Sequence, residues 1–257
     1  MTKVSFRIIM ALSILLSGIV LSVIAYRKHT SKDPLAHWVA LSGEPAENAM
    51  ILQQAEESRC IWRVTEETRP RRIAIQMTMR GANQIHQIKL RTEAGVLVGT
   101  SNGEWGGDLT LANADGVPIK RILDENVLQL LPSKLGTLVF TGLLHLGDDK
   151  GAVWLYGKDK DGTWSIKKIA DLNGKPNAVV ANDGGALGVS GHGIFHLNEA
   201  LQLTDTPLPF ARTSPNSIMA DADGRIYVGM NAFVLKLIPA RSGYLQEWYT
   251  RSGCLPQ

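Results

Sequence analysis

The sequence predicts an all-β fold, a β-propeller of about five four-stranded blades. Residues 176–189 and 215–228 read almost as copies of each other, because each contains an alternating apolar run, a tight Asp/Gly turn and a second alternating run. This pattern is typical of a β-hairpin, and its return after about 40 residues is typical of propeller blades. The composition agrees, since 25 glycines and 44% apolar residues suit a turn-rich domain with one large core.

The repeat extends towards the amino terminus. Four segments match the second strand of the hairpin, namely 95–100, 136–142, 186–191 and 225–229. An asparagine opens the first strand of each unit, at Asn83, Asn126, Asn177 and Asn216, and we predict the same role for Asn48. The second half of each unit is also visible in the last four repeats, which predicts four strands for each of them.

The blade number follows from length. About 215 residues, from 37 to 251, divide into five units of roughly 40 to 45 residues. The first unit is the exception, because only two strands are clear in it, at 60–64 and 72–77. Six irregular blades, or one incomplete blade among five, are the alternatives.

Three short motifs mark these units. A Pro-Asn opening occurs at 176–177 and 215–216, an Asp-x-Asp-Gly turn occurs at 159–162 and 221–224, and a Tyr-Val-Gly strand end occurs once, at 227–229. In these motifs the chain resembles the propeller repeats of the NHL, lactonase and regulator-propeller groups. The resemblance implies a propeller and fixes no single family among them.

The lactonase resemblance implies a testable metal site. Lactonases of this group hold a divalent metal with an early Glu, the Asn of their Pro-Asn-Gly motifs and an Asp after a Tyr-Val strand. Asn177 and Asn216 match the asparagine positions, but Glu44 stands outside the family order and Gly229 and Met230 replace the Asp. We therefore predict no metal and no cofactor, and keep a metal-dependent lactonase or hydrolase as the alternative function.

The amino-terminal segment predicts a membrane anchor. Residues 8–26 are nineteen positions without a charge, closed by Arg27 and Lys28, and this length can just span a bilayer core. A signal peptide cleaved near Ala25 is the alternative. The predicted organisation is therefore a signal-anchor or signal peptide at 1–29, a short tether at 30–36 and the propeller at 37–257, held at the inner membrane on the periplasmic side.

Two cysteines lie at the two ends of the predicted ring. A propeller brings its first and last blades together, so Cys60 and Cys254 can become neighbours despite their distance in sequence. If the protein is exported to an oxidising compartment, the two cysteines can form a disulfide. The alternative is two unrelated thiols.

The predicted partner-binding face is the one at which second strands end and first strands begin. Its candidate residues are Asn102, His192 and Asn231 at the strand ends, with Asn83, Asn126, Asn177 and Asn216 at the strand starts. The alternative for the asparagines is turn chemistry, because Asn tolerates left-handed backbone and bonds its own main chain. The Asp-x-Asp-Gly segments are predicted to be hairpin turns, and Trp105, Trp154 and Trp164 to pack between strands.

The function predicted from these features is binding without catalysis. The net charge of +3 is too small to indicate a nucleic-acid partner, and no Gly-x-Ser-x-Gly or phosphate-cradling motif is present. We expect a membrane-anchored periplasmic propeller that binds an envelope protein. The protein would act as an assembly or scaffold subunit, or as an immunity-type inhibitor of a toxin.

Overall fold

The computed structural model describes residues 33–68, 71–78, 87–210 and 213–255. The chain divides into two compact units, residues 1–37 and 38–257. The described part of the first unit is a turn in which the Ala36 amide donates to the Asp33 carbonyl at 3.1 Å. The predicted anchor at 8–26 lies outside the described residues, within which no helix is long and apolar enough to cross a membrane.

The described part of the second unit forms five antiparallel sheets that follow one another along the chain. The first sheet contains β2 (Ile61–Thr68) and β3 (Arg71–Thr78). The second contains β4 (Gln87–Thr92), β5 (Gly95–Thr100), β6 (Leu109–Ala112) and β7 (Pro118–Leu123). The third contains β8 (Val127–Ser133), β9 (Gly136–His145), β10 (Asp148–Lys158) and β11 (Trp164–Leu172).

The last two sheets complete the series. The fourth contains β12 (Pro176–Asn182), β13 (Gly185–Ser190), β14 (Gly193–Leu197) and β15 (Leu203–Pro207). The fifth contains β16 (Ser217–Ala220), β17 (Ile226–Gly229), β18 (Phe233–Pro239) and β19 (Tyr244–Thr250), and β1 (Val39–Ala40) joins it beside β19.

This succession of up-and-down sheets fits a propeller. Within sheets two to five, consecutive strands are hydrogen-bonded neighbours, as in propeller blades. The first strands of successive sheets contact one another from β4 to β8, β12, β16 and finally β2. The prediction of four strands in each of the last four units is confirmed. The two strands predicted in the first unit are also confirmed, at slightly greater length.

One predicted strand is a helix. Asn48 does not open a strand, because residues Ala49–Glu57 form the helix α1 and Asn48 is its N-cap. Its side-chain oxygen accepts from the amides of Met50 and Ile51, at 3.1 and 3.2 Å. Asn is among the best N-cap residues, and the following Ala, Met, Leu, Gln and Glu residues favour a helix. The repeat of asparagines alone could not distinguish this role from a strand start.

The cores lie between the sheets, because the alternating strands turn their apolar faces towards each other. Leu187, Val189 and Ile194 of the fourth sheet share a cluster with Ile218 and Val228 of the fifth. Gly188 has a specific packing role in the fourth sheet. A Cβ atom at this position would lie 2.0 Å from the Phe195 ring, so the aromatic ring occupies the space that a side chain would need.

The two ends of the second unit are held together in the fifth sheet. The short strand β1 pairs with β19, with Val39 opposite Thr250. On the other side, the Trp62 amide donates to the Met230 carbonyl at 3.1 Å and the Ala232 amide donates to the Cys60 carbonyl at 2.7 Å. The predicted Cys60–Cys254 disulfide is confirmed, with the two Cα atoms 5.5 Å apart. Residues distant in sequence therefore close the series of sheets.

The disulfide gives the first prediction. Cys254→Ser should lower the free energy of unfolding by up to about 5 kcal/mol, because the bond joins residues 194 positions apart and restricts the unfolded chain. Chemical denaturation should be used to measure the free energy of unfolding of the oxidised wild type, the reduced wild type and the variant. We expect nearly equal values for the reduced wild type and the variant. Rapid reaction of both thiols in the native oxidised protein would contradict the bond.

Candidate functional site

The predicted face contains side chains of very different accessibility. Asn102 and Asn177 are exposed to solvent, and Asn216 is partly exposed. Asn126 and Asn231 are buried, with 6% and 8% relative solvent exposure. Asn83 lies outside the described residues. The positions at strand ends are as predicted, but the buried asparagines serve the fold. The backbone N–H of Asn231, for example, donates to the Thr213 carbonyl at 2.9 Å.

Asn126 holds the loop that follows β5. Its side-chain oxygen accepts from the Asn102 amide at 3.1 Å, and its side-chain nitrogen donates to the Gly103 carbonyl at 2.7 Å. Residues Gly103–Trp105 form a single 3-10 turn in this loop, and Gly103 has a φ of 62°. One buried amide therefore fixes the loop in place between the second and third sheets.

Trp105 projects from this turn into solvent. Trp105 is 83% exposed, so the prediction that it packs between strands is wrong. The loop leaves the sheet at this point and turns the residue away from the core. The other two tryptophans pack as predicted. Trp164 stacks on Tyr156 with ring centres 5.2 Å apart, and Trp154 donates to the Thr141 hydroxyl at 3.1 Å.

The hairpin of β9 and β10 reaches the same region. Leu146 and Gly147 form its two-residue turn, and both have a positive φ, of 46° and 94°. Such turns favour Asn, Asp or Gly, whose backbones tolerate the left-handed region. A leucine is unusual there. Leu146 is 93% exposed and Leu144 is 62% exposed, so the hairpin tip presents two apolar side chains to solvent.

Two pairs of histidine and carboxylate connect the hairpin to its neighbours. His145 Nδ1 lies 3.0 Å from Glu104 Oε2, which brings the turn that carries Trp105 to the hairpin tip. On the other side, His192 Nε2 lies 2.8 Å from Asp149 Oδ2. Asp149 also accepts the Lys175 amide through its other oxygen at 2.6 Å. The predicted residue His192 is thus part of the support of the hairpin. We call Trp105, Leu144 and Leu146 the loop-face patch.

A cleft of about 390 Å³ lies beside the loop-face patch, between the second and third sheets. Its lining includes Gly106, Asp124, Glu125, Leu143, Lys150 and Asp171. Glu125 accepts the Thr141 hydroxyl at 2.6 Å. Basic side chains accompany these carboxylates. Lys168 also lines the cleft and contacts Asp171, and Lys150 Nζ lies 3.5 Å from Asp148 Oδ2. The region around the patch is therefore mixed in charge.

The opposite ends of the strands hold a second cleft and the predicted hairpin turns. This cleft, of about 680 Å³, is lined by residues that include His196, Thr204, Asp221 and Tyr244. The Asp-x-Asp-Gly prediction is confirmed, since Asp161 accepts the Thr163 amide at 3.0 Å and Asp221 accepts the Arg225 amide at 3.0 Å. The bond from the Thr163 backbone lowers the pKa of Asp161. Within the described residues, no three His, Cys, Asp or Glu side chains converge in a way that could hold a metal.

Sequence reasoning did not identify the residues that define the patch. Leu144 and Leu146 follow the matched segment 136–142 and carry no predicted role, and Trp105 is predicted to pack between strands. One signal was available, because Leu146-Gly147 stands where a two-residue turn usually has Asn-Gly or Asp-Gly. The accessibility of Trp105 depends on the path of the loop and has no signal in the sequence.

Comparison with known proteins gives no family. No family model and no curated protein matches the sequence. Among solved structures, a streptogramin B lyase matches 84% of this chain and 72% of its own, with 14% identity and a TM-score of 0.41. A virginiamycin B lyase from Staphylococcus aureus matches 82% of this chain and 72% of its own, with 11% identity and a TM-score of 0.37. Likeness at this level assigns no activity to the chain.

The support of the loop gives the second prediction. Asn126→Ala should lower the free energy of unfolding by about 1–3 kcal/mol, because it leaves the partners of a buried amide unpaired. Hydrogen exchange of the amides in 102–106 should become faster. Asn177→Ala is the matched control, since this asparagine starts the next sheet and is exposed, and it should change stability by less than about 0.5 kcal/mol. Equal effects of the two substitutions would refute the role of Asn126.

Proposed function

We propose that this protein binds a protein partner through the loop-face patch and acts without catalysis. The observation that carries the proposal is Leu146, an almost fully exposed leucine in a left-handed backbone conformation. This conformation costs an ordinary residue on the order of 1–2 kcal/mol. At 93% exposure, the side chain gains nothing in folding that would offset this cost. Backbone strain of this kind is concentrated at functional sites.

The rest of the loop-face patch has the composition of a binding surface. Trp105 adds a large aromatic side chain, and tryptophan is enriched among the residues that dominate binding energy at protein interfaces. Leu144 extends the apolar surface along the same hairpin. The patch stands on loops that Asn126, Glu104 and Asp149 hold in place, so little flexibility would be lost on binding.

The surroundings of the patch indicate the chemistry of the partner. Glu104 lies beside His145, Asp148 beside Lys150 and Asp149 beside His192, so both signs of charge border the apolar side chains. An interface with an apolar centre and a polar rim is the usual arrangement at protein contacts. We therefore take the occupant to be a protein segment that is apolar at its centre and carries both acidic and basic residues at its rim.

Because the sequence predicts export of the chain, we propose that this partner is a protein of the cell envelope. With an anchor at residues 8–26, the loop-face patch would act at the periplasmic side of the inner membrane. An assembly or scaffold subunit and an immunity-type inhibitor of a toxin are the two forms of this function. Both depend on the same patch, so the same substitutions test both.

The third prediction separates binding from folding at Leu146. Leu146→Asn should raise the free energy of unfolding by up to about 1 kcal/mol, because Asn tolerates the left-handed turn better. It should weaken partner binding at least tenfold, which corresponds to about 1.4 kcal/mol. A photo-crosslinking residue at Leu144 in the full chain, expressed in its native cells, would report binding as the yield of a discrete adduct.

Leu135→Asn is the matched control. Leu135 is 53% exposed and lies in the turn at the other end of β9, where its φ is not positive. This substitution should change neither stability nor adduct yield. Loss of the adduct in Leu135→Asn as well, or its retention in Leu146→Asn, would contradict the proposed surface.

The alternative function, a metal-dependent hydrolase, has one observation in its favour. Both polar atoms of the Asn216 side chain are buried and have no hydrogen-bond partner among the described residues. Buried amides normally find partners, so a ligand near Asn216 would explain the exception. The donor set is incomplete, because Gly229 and Met230 stand where the resembled lactonases have an Asp.

The fourth prediction tests this alternative. Calcium and manganese, added separately to the full chain, should leave the melting temperature unchanged in the wild type and in Asn216→Ala. The physical reason is that the side-chain amides of Asn177 and Asn216 are neutral and supply too little negative charge to hold a divalent cation tightly. Stoichiometric binding of either metal, lost in Asn216→Ala, would refute the predicted absence of a metal, and turnover of a small ester by the metal-loaded protein would establish the enzymatic alternative.

A further inference from the structure

The first sheet differs from the other four. In the described residues it contains only β2 and β3, whereas each of the other sheets has at least four strands. β3 pairs with β2 along its whole length, from Arg71 opposite Thr68 to Thr78 opposite Ile61. No described strand pairs with the other edge of β3. Within 33–68, 71–78, 87–210 and 213–255, this eight-residue edge thus has no partner strand for its main-chain donors and acceptors.

The outermost strands of the other sheets carry features that prevent pairing with another chain. β7 includes Lys120 and Arg121, β11 includes Lys167 and Lys168, and β15 includes Asp205 and Pro207. The remaining outermost strand, β1, has only two residues. Charged residues, prolines and short length are the usual protections of an exposed sheet edge. In contrast, the centre of β3, residues 73–77, reads Ile-Ala-Ile-Gln-Met and contains neither a charge nor a proline.

One face of β3 is apolar. Ile73, Ile75 and Met77 alternate along the strand and therefore share a face. Ile75 and Met77 lie opposite Val64 and Trp62 of β2, which are buried. Met77 remains 61% exposed, and both isoleucines are partly exposed. The apolar face thus begins in the core at β2 and continues to the open edge.

We infer that β3 pairs with β3 of a second copy of this chain, so that two first sheets join into one sheet of four strands. The order across the joint would be β2, β3, the second β3 and the second β2. Four is also the number of strands in the second, third and fourth sheets. A twofold axis that relates two antiparallel strands places residues of the same face opposite one another.

A register centred on Ile75 places residues of the same face opposite one another and keeps like charges apart. Ile75 lies opposite its own copy, Ile73 lies opposite Met77, and Ala74 lies opposite Gln76. Arg72 lies opposite Thr78, so no arginine faces another arginine across the joint. The apolar residues of both copies then form one continuous face, and such cross-strand apolar pairs stabilise a sheet. A different protein could offer a strand to the same edge, but the pattern of β3 is complementary to itself.

This inference does not depend on the proposed function. It uses residues of the first sheet, whereas the loop-face patch lies on the second and third sheets. Loss of dimerisation therefore need not impair partner binding, and loss of partner binding need not impair dimerisation.

The fifth prediction tests the dimer. Light scattering coupled to size exclusion should give twice the monomer mass for the full chain, after correction for any bound detergent. Met77→Lys should raise the dissociation constant at least tenfold, because each dimer would bury two new charges. Ile119→Lys is the matched control, since Ile119 is 62% exposed and lies on β7, and it should leave the mass unchanged. A monomeric wild type, or a dimer that resists Met77→Lys, would refute the inference.

Disulfide cross-linking tests the register. Ile75→Cys should give a covalent dimer under mild oxidation, because directly opposite Cβ atoms in an antiparallel pair lie about 4.5–5.5 Å apart. Ala74→Cys should cross-link far less, since the two copies of this residue would be displaced by two positions along the strand, about 7 Å. Equal yields from the two variants, or no covalent dimer from Ile75→Cys, would overturn the proposed pairing.

Discussion

The structure depends on the closure between the two ends of the second unit. A series of up-and-down sheets leaves its first and last members with uncovered faces unless they meet. Here β1 extends the fifth sheet, the backbone around Cys60 bonds to Met230 and Ala232, and the disulfide to Cys254 joins the ends covalently. These contacts place the first sheet against the fifth. The apolar faces of Trp62 and Val64 are buried as a consequence.

A closed frame allows the loops at one end to carry strained and exposed residues. The cost of the left-handed Leu146 is small compared with the cooperative stability of the sheets that support its hairpin. The buried side chain of Asn126 and the carboxylates of Glu104 and Asp149 fix the neighbouring loops without covering them. A positive φ at an exposed leucine distinguishes this end of the strands from the opposite end, where Asp161 and Asp221 close compact polar turns and the exposed Leu135 has no positive φ.

Sequence periodicity was sufficient for the strands and for most turns. Alternation in residues 176–189 and 215–228 requires a strand with one buried face, and the Asp-Gly pairs between the runs have few conformations other than a hairpin turn. The first unit was predicted to be the exception, and in the described part of the chain its sheet has the two strands that the sequence indicated. Asn48 shows the limit of this reasoning, since the same residue type starts a strand at Asn177 and caps a helix at Asn48.

The sequence by itself determined the local units, because strand pattern and turn chemistry are properties of neighbouring residues. It made the pairing of Cys60 with Cys254 possible, but only the closure of the sheets brings these residues together across 194 positions. Accessibility was likewise decided by tertiary structure. Trp105 and Trp164 belong to the same residue type, yet one projects into solvent and the other stacks on Tyr156. The reason is physical: exposure and long-range pairing depend on where distant segments pack, and no local pattern of residues encodes that.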